Sequence, residues 1–332
     1  MRPYDDPGGA GLTRLLARRP GINVTTLVAL GTLYILWGST YLAIRFGIAT
    51  IPPLLMASVR FLLAGALMYL WALQRGDLRD GAPTARHWLA TLVIGGLLLG
   101  VGNGGVTWGE QFIASGVAAL LVATVPVWMA ILAHLTGQER LSRLVGAGLV
   151  LGIAGVVLVA HPWSGTFGQV KGVVVVLLAA FGWACGSLYA RRAGLPTSAI
   201  LVTGMEMICG GLVLLVAASL DGELGRVHPE HFSPASVLAV LYLVVFGSII
   251  AFSAYVWLLN HVSAALAGTY AFVNPAVAVF LGALFAHEAL SAAVLVGGAV
   301  IIGGVALVVA GRSVTSRNER RAALVAGRAR AA

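Results

Sequence analysis

The sequence predicts an all-α integral membrane protein of ten transmembrane helices, arranged as two five-helix repeats of opposite orientation. Three observations predict it: a composition too apolar for water, ten apolar runs of spanning length, and scarce residues recurring at one sequence offset. Of 332 residues, 59% are hydrophobic and 10% charged, against roughly 45–50% and about 25% in soluble chains. The 43 glycines suit membrane helices, whose backbones approach closely where side chains are small.

A spanning helix needs about 20 mainly apolar residues. In order, the runs are 24–44, 54–73, 88–108, 115–135, 141–160, 172–190, 198–220, 236–258, 264–286 and 289–311. The first lacks a small-residue cleavage signal and is read as a retained span. Breaks as tight as those around His261 and Glu288 require antiparallel hairpins and leave no room for an extramembrane domain. The implied division is a basic tail over 1–23, a first repeat over 24–160, a periplasmic linker over 161–171, a second repeat over 172–311 and a basic tail over 312–332.

Orientation follows from the cations. With the amino terminus inside, seventeen arginines, among them Arg75, Arg86, Arg140, Arg191, Arg192 and Arg312, fall on the cytoplasmic side, against Arg45, Lys171 and Arg226 outside. An even helix count returns the carboxyl tail to the cytoplasm, and both tails read as solvated, disordered segments attracted to lipid headgroups. The net charge of +9 is therefore topological; no basic stripe or nucleic-acid module accompanies it. Cys185 and Cys209 lie within apolar runs, suggesting neither a disulfide framework nor a thiolate metal site.

At an offset of 149, Trp108 falls on Trp257, Pro126 on Pro275, Glu139 on Glu288 and Ser142 on Ser291. At 146, Trp37 meets Trp183 and Arg45 meets Arg191, while Gly38, Ser39 and Tyr41 match Gly186, Ser187 and Tyr189 better at 148. A unit of five spans is odd, so its two copies enter the membrane oppositely. Such inverted repeats typically surround a midplane site.

The stretches LWGSTYLAIRFGIATIPPLLMASVRFLLAG, GNGGVTWGEQFIASGVAALLVATVPVW and YAFVNPAVAVFLGALFAHEALS resemble the EamA family of the drug/metabolite transporter superfamily, over about residues 25–311. The resemblance implies two inverted five-helix repeats around a central cavity, and export of amino acids or other small metabolites. It implies a small-molecule substrate, membrane lipids as surroundings and a possible homodimer.

Arg60 lies six residues inside the second span, where a charge must pair, snorkel or face water. It reads either as a carboxylate contact or as a structural arginine bonded to a neighbouring helix. Glu206, its counterpart at offset 146, reads as a proton carrier or ammonium contact, or as an acid between helices. Asn103, set among Gly100, Gly102, Gly104 and Gly105, reads as interhelical glue or a substrate contact. Glu110 and Gln111 follow in the outer turn and are expected at a solvated interface, with gating as the alternative. Pro126 and Pro275 predict kinks that free carbonyls, with Asn274 beside the second. The Glu-Xaa-Leu-Ser pattern at Glu139 and Glu288 suits helix starts. Trp37, Tyr41, Trp183, Tyr189, Tyr255 and Tyr270 lie on spans the resemblance places around the cavity; they suit a partly apolar solute or an ammonium, or simple packing. Trp88, Trp163 and Tyr242 look like interface anchors. His134, His161, His261 and His287 sit near span ends at unrelated spacings, and no metal, cofactor or enzyme motif is found. These features lead to a secondary transporter exporting a small metabolite by alternating access; the alternative is a non-transporting assembly or signalling subunit on the same scaffold.

Overall fold

The computed structural model describes residues 24–78, 81–137, 142–160, 167–262, 266 and 268–331, with only the backbone at 259–260 and 313–331. Ten helices follow one another: α1 Val24–Gly47, α2 Pro53–Arg75, α3 Ala85–Gly109, α4 Ser115–Leu135, α5 Arg143–Ala160, α6 Phe167–Ala190, α7 Ala199–Leu220, α8 Pro234–Leu258, α9 Tyr270–Phe285 and α10 Ala292–Ala331. Among the described residues no strand occurs, and nine helices are long and apolar enough to cross a membrane. The described part of α9 is shorter, at 16 residues; the expected start at Ala264 lies outside the described residues.

Three boundaries differ from the sequence reading. Helix α6 begins at Phe167, inside the expected linker. Helix α10 continues as backbone helix to Ala331, where a disordered tail was expected, because a stretch rich in Ala and Arg has high helix propensity. Helix α4 is interrupted at Ala123–Thr124, so Pro126 stands in the first turn of a second segment, Val125–Leu135. At that position the missing N–H costs no helical hydrogen bond. Pro275, its counterpart, lies within α9.

The duplication is legible in the packing. Helix α2 lies along α7 and α5 along α10, each helix against its own counterpart. At α5·α10 a Cβ on Gly304 would stand 2.6 Å from the Gly152 nitrogen, and one on Gly155 2.8 Å from the Gly297 oxygen. These backbones touch, which only glycine permits. Trp108 stacks near Phe112 at 4.9 Å and Trp257 on His261 at 4.1 Å, the same four-residue spacing in both copies. Ser142 Oγ accepts from Val145 N at 3.3 Å and Ser291 Oγ from Val294 N at 3.2 Å, so matching serines start α5 and α10. The third helix of each half also widens into a π-helical stretch, Gly96–Asn103 in α3 and Leu243–Ile250 in α8. Such wide turns interrupt regular pairing and commonly mark functional sites.

Besides α5 and α10, three helix starts are capped by their own serine or threonine: Thr84 for α3, Ser198 for α7 and Ser233 for α8. Helices α2 and α4 begin after Pro52 and Ala114, which offer no cap. Carboxylates from the other half supply it. Glu223 accepts from Leu54 N and Leu55 N at 3.1 and 2.8 Å, and Glu288 accepts from Ser115 N and Gly116 N at 2.7 and 3.1 Å. The positive helix end favours both anions. Glu288 thus serves α4 across the bundle rather than the α10 start beside it; His287, with φ 52°, turns the chain toward it. This end of the bundle, carrying Glu110, Glu223 and Glu288, is called the carboxylate end below. Glu139 lies outside the described residues.

Candidate functional site

The two π-helical stretches each receive a tryptophan from the first helix of the opposite half. Trp37 of α1 donates from Nε1 to the Gly247 carbonyl in the wide turn of α8 at 3.2 Å. Trp183 of α6 lies against the wide turn of α3, where a Cβ on Gly102 would stand 3.0 Å from its ring. The site is therefore built at the seam between repeats.

The α8 side gathers most of the chemistry. Trp37 meets Phe252, Tyr255 and Tyr270 with ring centroids at 5.2, 5.2 and 5.0 Å, and Tyr255 meets Tyr270 at 5.7 Å. Three of these contacts are edge-to-face and Trp37–Tyr255 is tilted, so the rings form one aromatic cluster joining α1, α8 and α9. Tyr34 and Thr269 share a 2.5 Å hydroxyl contact beside it. One turn away, Arg60 is 4% exposed and donates from Nε to Ser248 Oγ at 3.0 Å, with its guanidinium 4.7 Å from the Phe61 ring centre. Among the described residues it forms no ion pair, with Glu206 or with any other acid. Gly247 and Ser248 are adjacent, so Arg60 and Trp37 converge on one turn. Such an enclosed cation, lacking a carboxylate, suits an anionic group brought by a ligand.

The remaining sequence candidates are spread more widely. Glu206 is partly buried on α7, whose backbone crowds Gly95 of α3. Asn103 is partly buried at the end of the α3 wide turn near Trp183. Asn274 is 7% exposed with Oδ1 unpartnered, and its carbonyl lies near Gly38 of α1. Tyr189 is 42% exposed at the end of α6. Tyr41 lies between the aromatic group and Glu110. Tyr242 is no surface anchor: its hydroxyl shares a 2.6 Å hydrogen bond with Ser39 of α1. Trp88 stacks near Tyr69 at 5.9 Å, whereas Trp163 and His161 lie outside the described residues.

Glu110 departs most from expectation. Expected at a solvated interface, it is fully buried, and neither carboxylate oxygen has a hydrogen-bond partner. The structure shows why: Gly109 before it packs on Gly172 and Val176 of α6, which brings the end of α3 against its neighbour, a contact no sequence pattern announces. A separate apolar cavity of about 260 Å³ lies between α2 and α8, lined by Leu55, Val59, Leu63, Phe232 and Val237 among others. It carries no polar group to orient a solute and suits an alkyl chain.

The sequence profile of the EamA-like transporter family matches residues 25–160 and 170–310, one copy for each repeat. The Escherichia coli K12 protein described as an uncharacterized inner membrane transporter, YedA, is 42% identical over 285 residues, 86% of this chain and 90% of its own length. The uncharacterized Bacillus subtilis transporter YoaV is 26% identical over 85% of this chain and 96% of its own. Protein PecM of Dickeya dadantii is 28% identical over 86% and 92%. A solved crystal structure at 23% identity shares the fold with a TM-score of 0.59, over 88% of this chain and 98% of that one.

Proposed function

The chain belongs to the EamA-like transporter family, and from that premise we propose that it exports a small, partly apolar metabolite bearing a carboxylate, such as an amino acid, by alternating access between its two repeats. The observation that carries this reading is the convergence of Arg60 and Trp37 on the wide turn of α8, beside Tyr255 and Tyr270. Arg60 binds the carboxylate and the aromatic faces hold the apolar part or an ammonium. In the form described, the rings pack on one another and the carboxylate end is tied across the halves by Glu223 and Glu288. Solute enters from the opposite end, which carries Arg75, Arg191 and Arg312 at helix ends; by charge asymmetry that end faces the cytoplasm. Release requires the two carboxylate clamps to part. Asn103 and Trp183 at the other wide turn form the inverted counterpart of the site, and the α7 backbone at Glu206 packs on Gly95 just before that turn.

The test is solute flux. Purified protein reconstituted in lipid vesicles and offered a panel of amino acids, other carboxylates and neutral analogues is expected to move one carboxylate class, with Arg60→Gln and Trp37→Ala lowering the rate at wild-type abundance. Uniform absence of flux, together with a stable stoichiometric partner, overturns this function in favour of an assembly subunit.

A further inference from the structure

Two carboxylates of the carboxylate end share one buried neighbourhood, and they are treated very differently. Glu288 has both oxygens occupied by amides at the positive end of α4, an arrangement that supplies a carboxylate with donors and a favourable field. Glu110 has none: it is fully buried, its two oxygens are unpartnered, and Thr107 Oγ1 and Ser115 Oγ are likewise buried and unpartnered. Around it, α1 contributes Tyr41 and Arg45, and the α9–α10 turn contributes Glu288. Arg45 is exposed and donates from Nη1 to the Glu110 main-chain oxygen at 2.9 Å, leaving the carboxylate aside. Lys171 of α6 is exposed with its ammonium over the Trp108 and Phe112 rings, and Arg60 of α2 is engaged by Ser248. A second enclosed negative charge beside Glu288, with no donor on either oxygen and only the exposed Arg45 as a nearby cation, is strongly disfavoured. A carboxylic acid is not.

We propose that Glu110 is a proton-binding site, neutral while the carboxylate end is closed, and that loss of its proton to water opens that end. This rests on the transporter reading, because it makes the proton the ligand that sets which side the solute site faces. The step is simple in balance: the Glu110 carboxyl gives H⁺ to water and leaves a carboxylate, whose repulsion from Glu288 weakens the Glu288 hold on α4. Protonation therefore favours the closed form at acid pH, and that preference is lost as pH rises through the value at which closed-state Glu110 ionises.

Infrared difference titration of the full chain in lipid vesicles tests the site without any solute. Wild type is expected to show a protonated-carboxyl band that disappears on raising the pH, is missing from Glu110→Gln and persists in Glu206→Gln. A band absent from wild type, or retained in Glu110→Gln, overturns the assignment. Should Glu110→Gln fail to accumulate, Glu110→Asp decides: a shifted band supports the site and an unchanged one refutes it. Opening is read from an Ile113→Cys reporter in a Cys185→Ala, Cys209→Ala background, labelled with a membrane-impermeant maleimide. Labelling is expected to rise about tenfold from acid to alkaline pH and to stay at the acid level with Glu110→Gln. Equal rises in both, or a dependence on sodium concentration in place of pH, refute the proton switch. A protein that shows the band and the switch yet moves no solute overturns the transport reading and leaves this one standing.

Discussion

Arg60 and Glu288 show how differently one buried charge can be used. Arg60 spends Nε on Ser248 and forms no ion pair among the described residues, so its loss should be felt by a ligand more than by the fold. A hydrogen bond to a charged partner is worth about 1.5–3 kcal/mol, and Arg60→Gln is expected to cut flux of the carboxylate solute at least tenfold at low concentration, measured in vesicles against abundance on a gel. Glu288 is occupied within the protein, on the first two amides of α4. Glu288→Gln keeps the shape and removes the charge; it is expected to destabilise by about 1–2 kcal/mol, read as a lower thermal midpoint in detergent. Sequence pattern pointed to helix-capping chemistry at Glu288 because an acid followed by Ser291 suits a start, yet it could not say which helix. The partner, α4, is 172 residues away and becomes adjacent only through the fold.

At the level of elements, the helices with their counterparts beside them are the least tolerant. The α5·α10 seam puts Gly152 against Gly304 and Gly155 against Gly297, and a side chain there must push two backbones apart. Gly304→Val is expected to cost about 1–3 kcal/mol and to lower the yield of folded protein by size-exclusion profile, whereas Gly303→Val, at a glycine with open space around it, should be neutral. The wide turns of α3 and α8 were not readable from composition. A π-helical turn has no residue signature comparable to proline, and Pro126, which does have one, proved to start a segment while Pro275 lies inside one. What the sequence did carry was the pairing of Trp37 with Trp183: both tryptophans, found by offset alone, lie against those turns.

For the whole molecule, ten helices and their inverted duplication were legible because the bilayer fixes span length and forbids stray polar backbone. The site was legible only in part. Trp37, Tyr255 and Tyr270 come together, while Glu110 was hidden by its place at a span end, where acids are ordinarily wet. The two ends of the bundle are also unequal in a way no offset reveals. Asp77 follows α2 as Glu223 follows α7, yet Glu223 grips the α2 amides directly, whereas Asp77 accepts from the hydroxyl of Ser198 at 2.6 Å, and Ser198 in turn caps α7. Breaking the direct grip with Glu223→Gln should favour opening at the carboxylate end, and Asp77→Asn should favour opening at the other. Opposite changes in maleimide labelling of Ile113→Cys would bear this out; equal changes would mean the two ends are not in balance. The glycine seam of α5 and α10 has a further consequence, for synthesis. Helix α5 begins 149 residues ahead of α10 (Arg143 against Ala292), so the nascent first half stands in the bilayer with a bare backbone stripe and no mate. Until α10 arrives, that stripe has the close-packing surface that the finished fold reserves for its own counterpart.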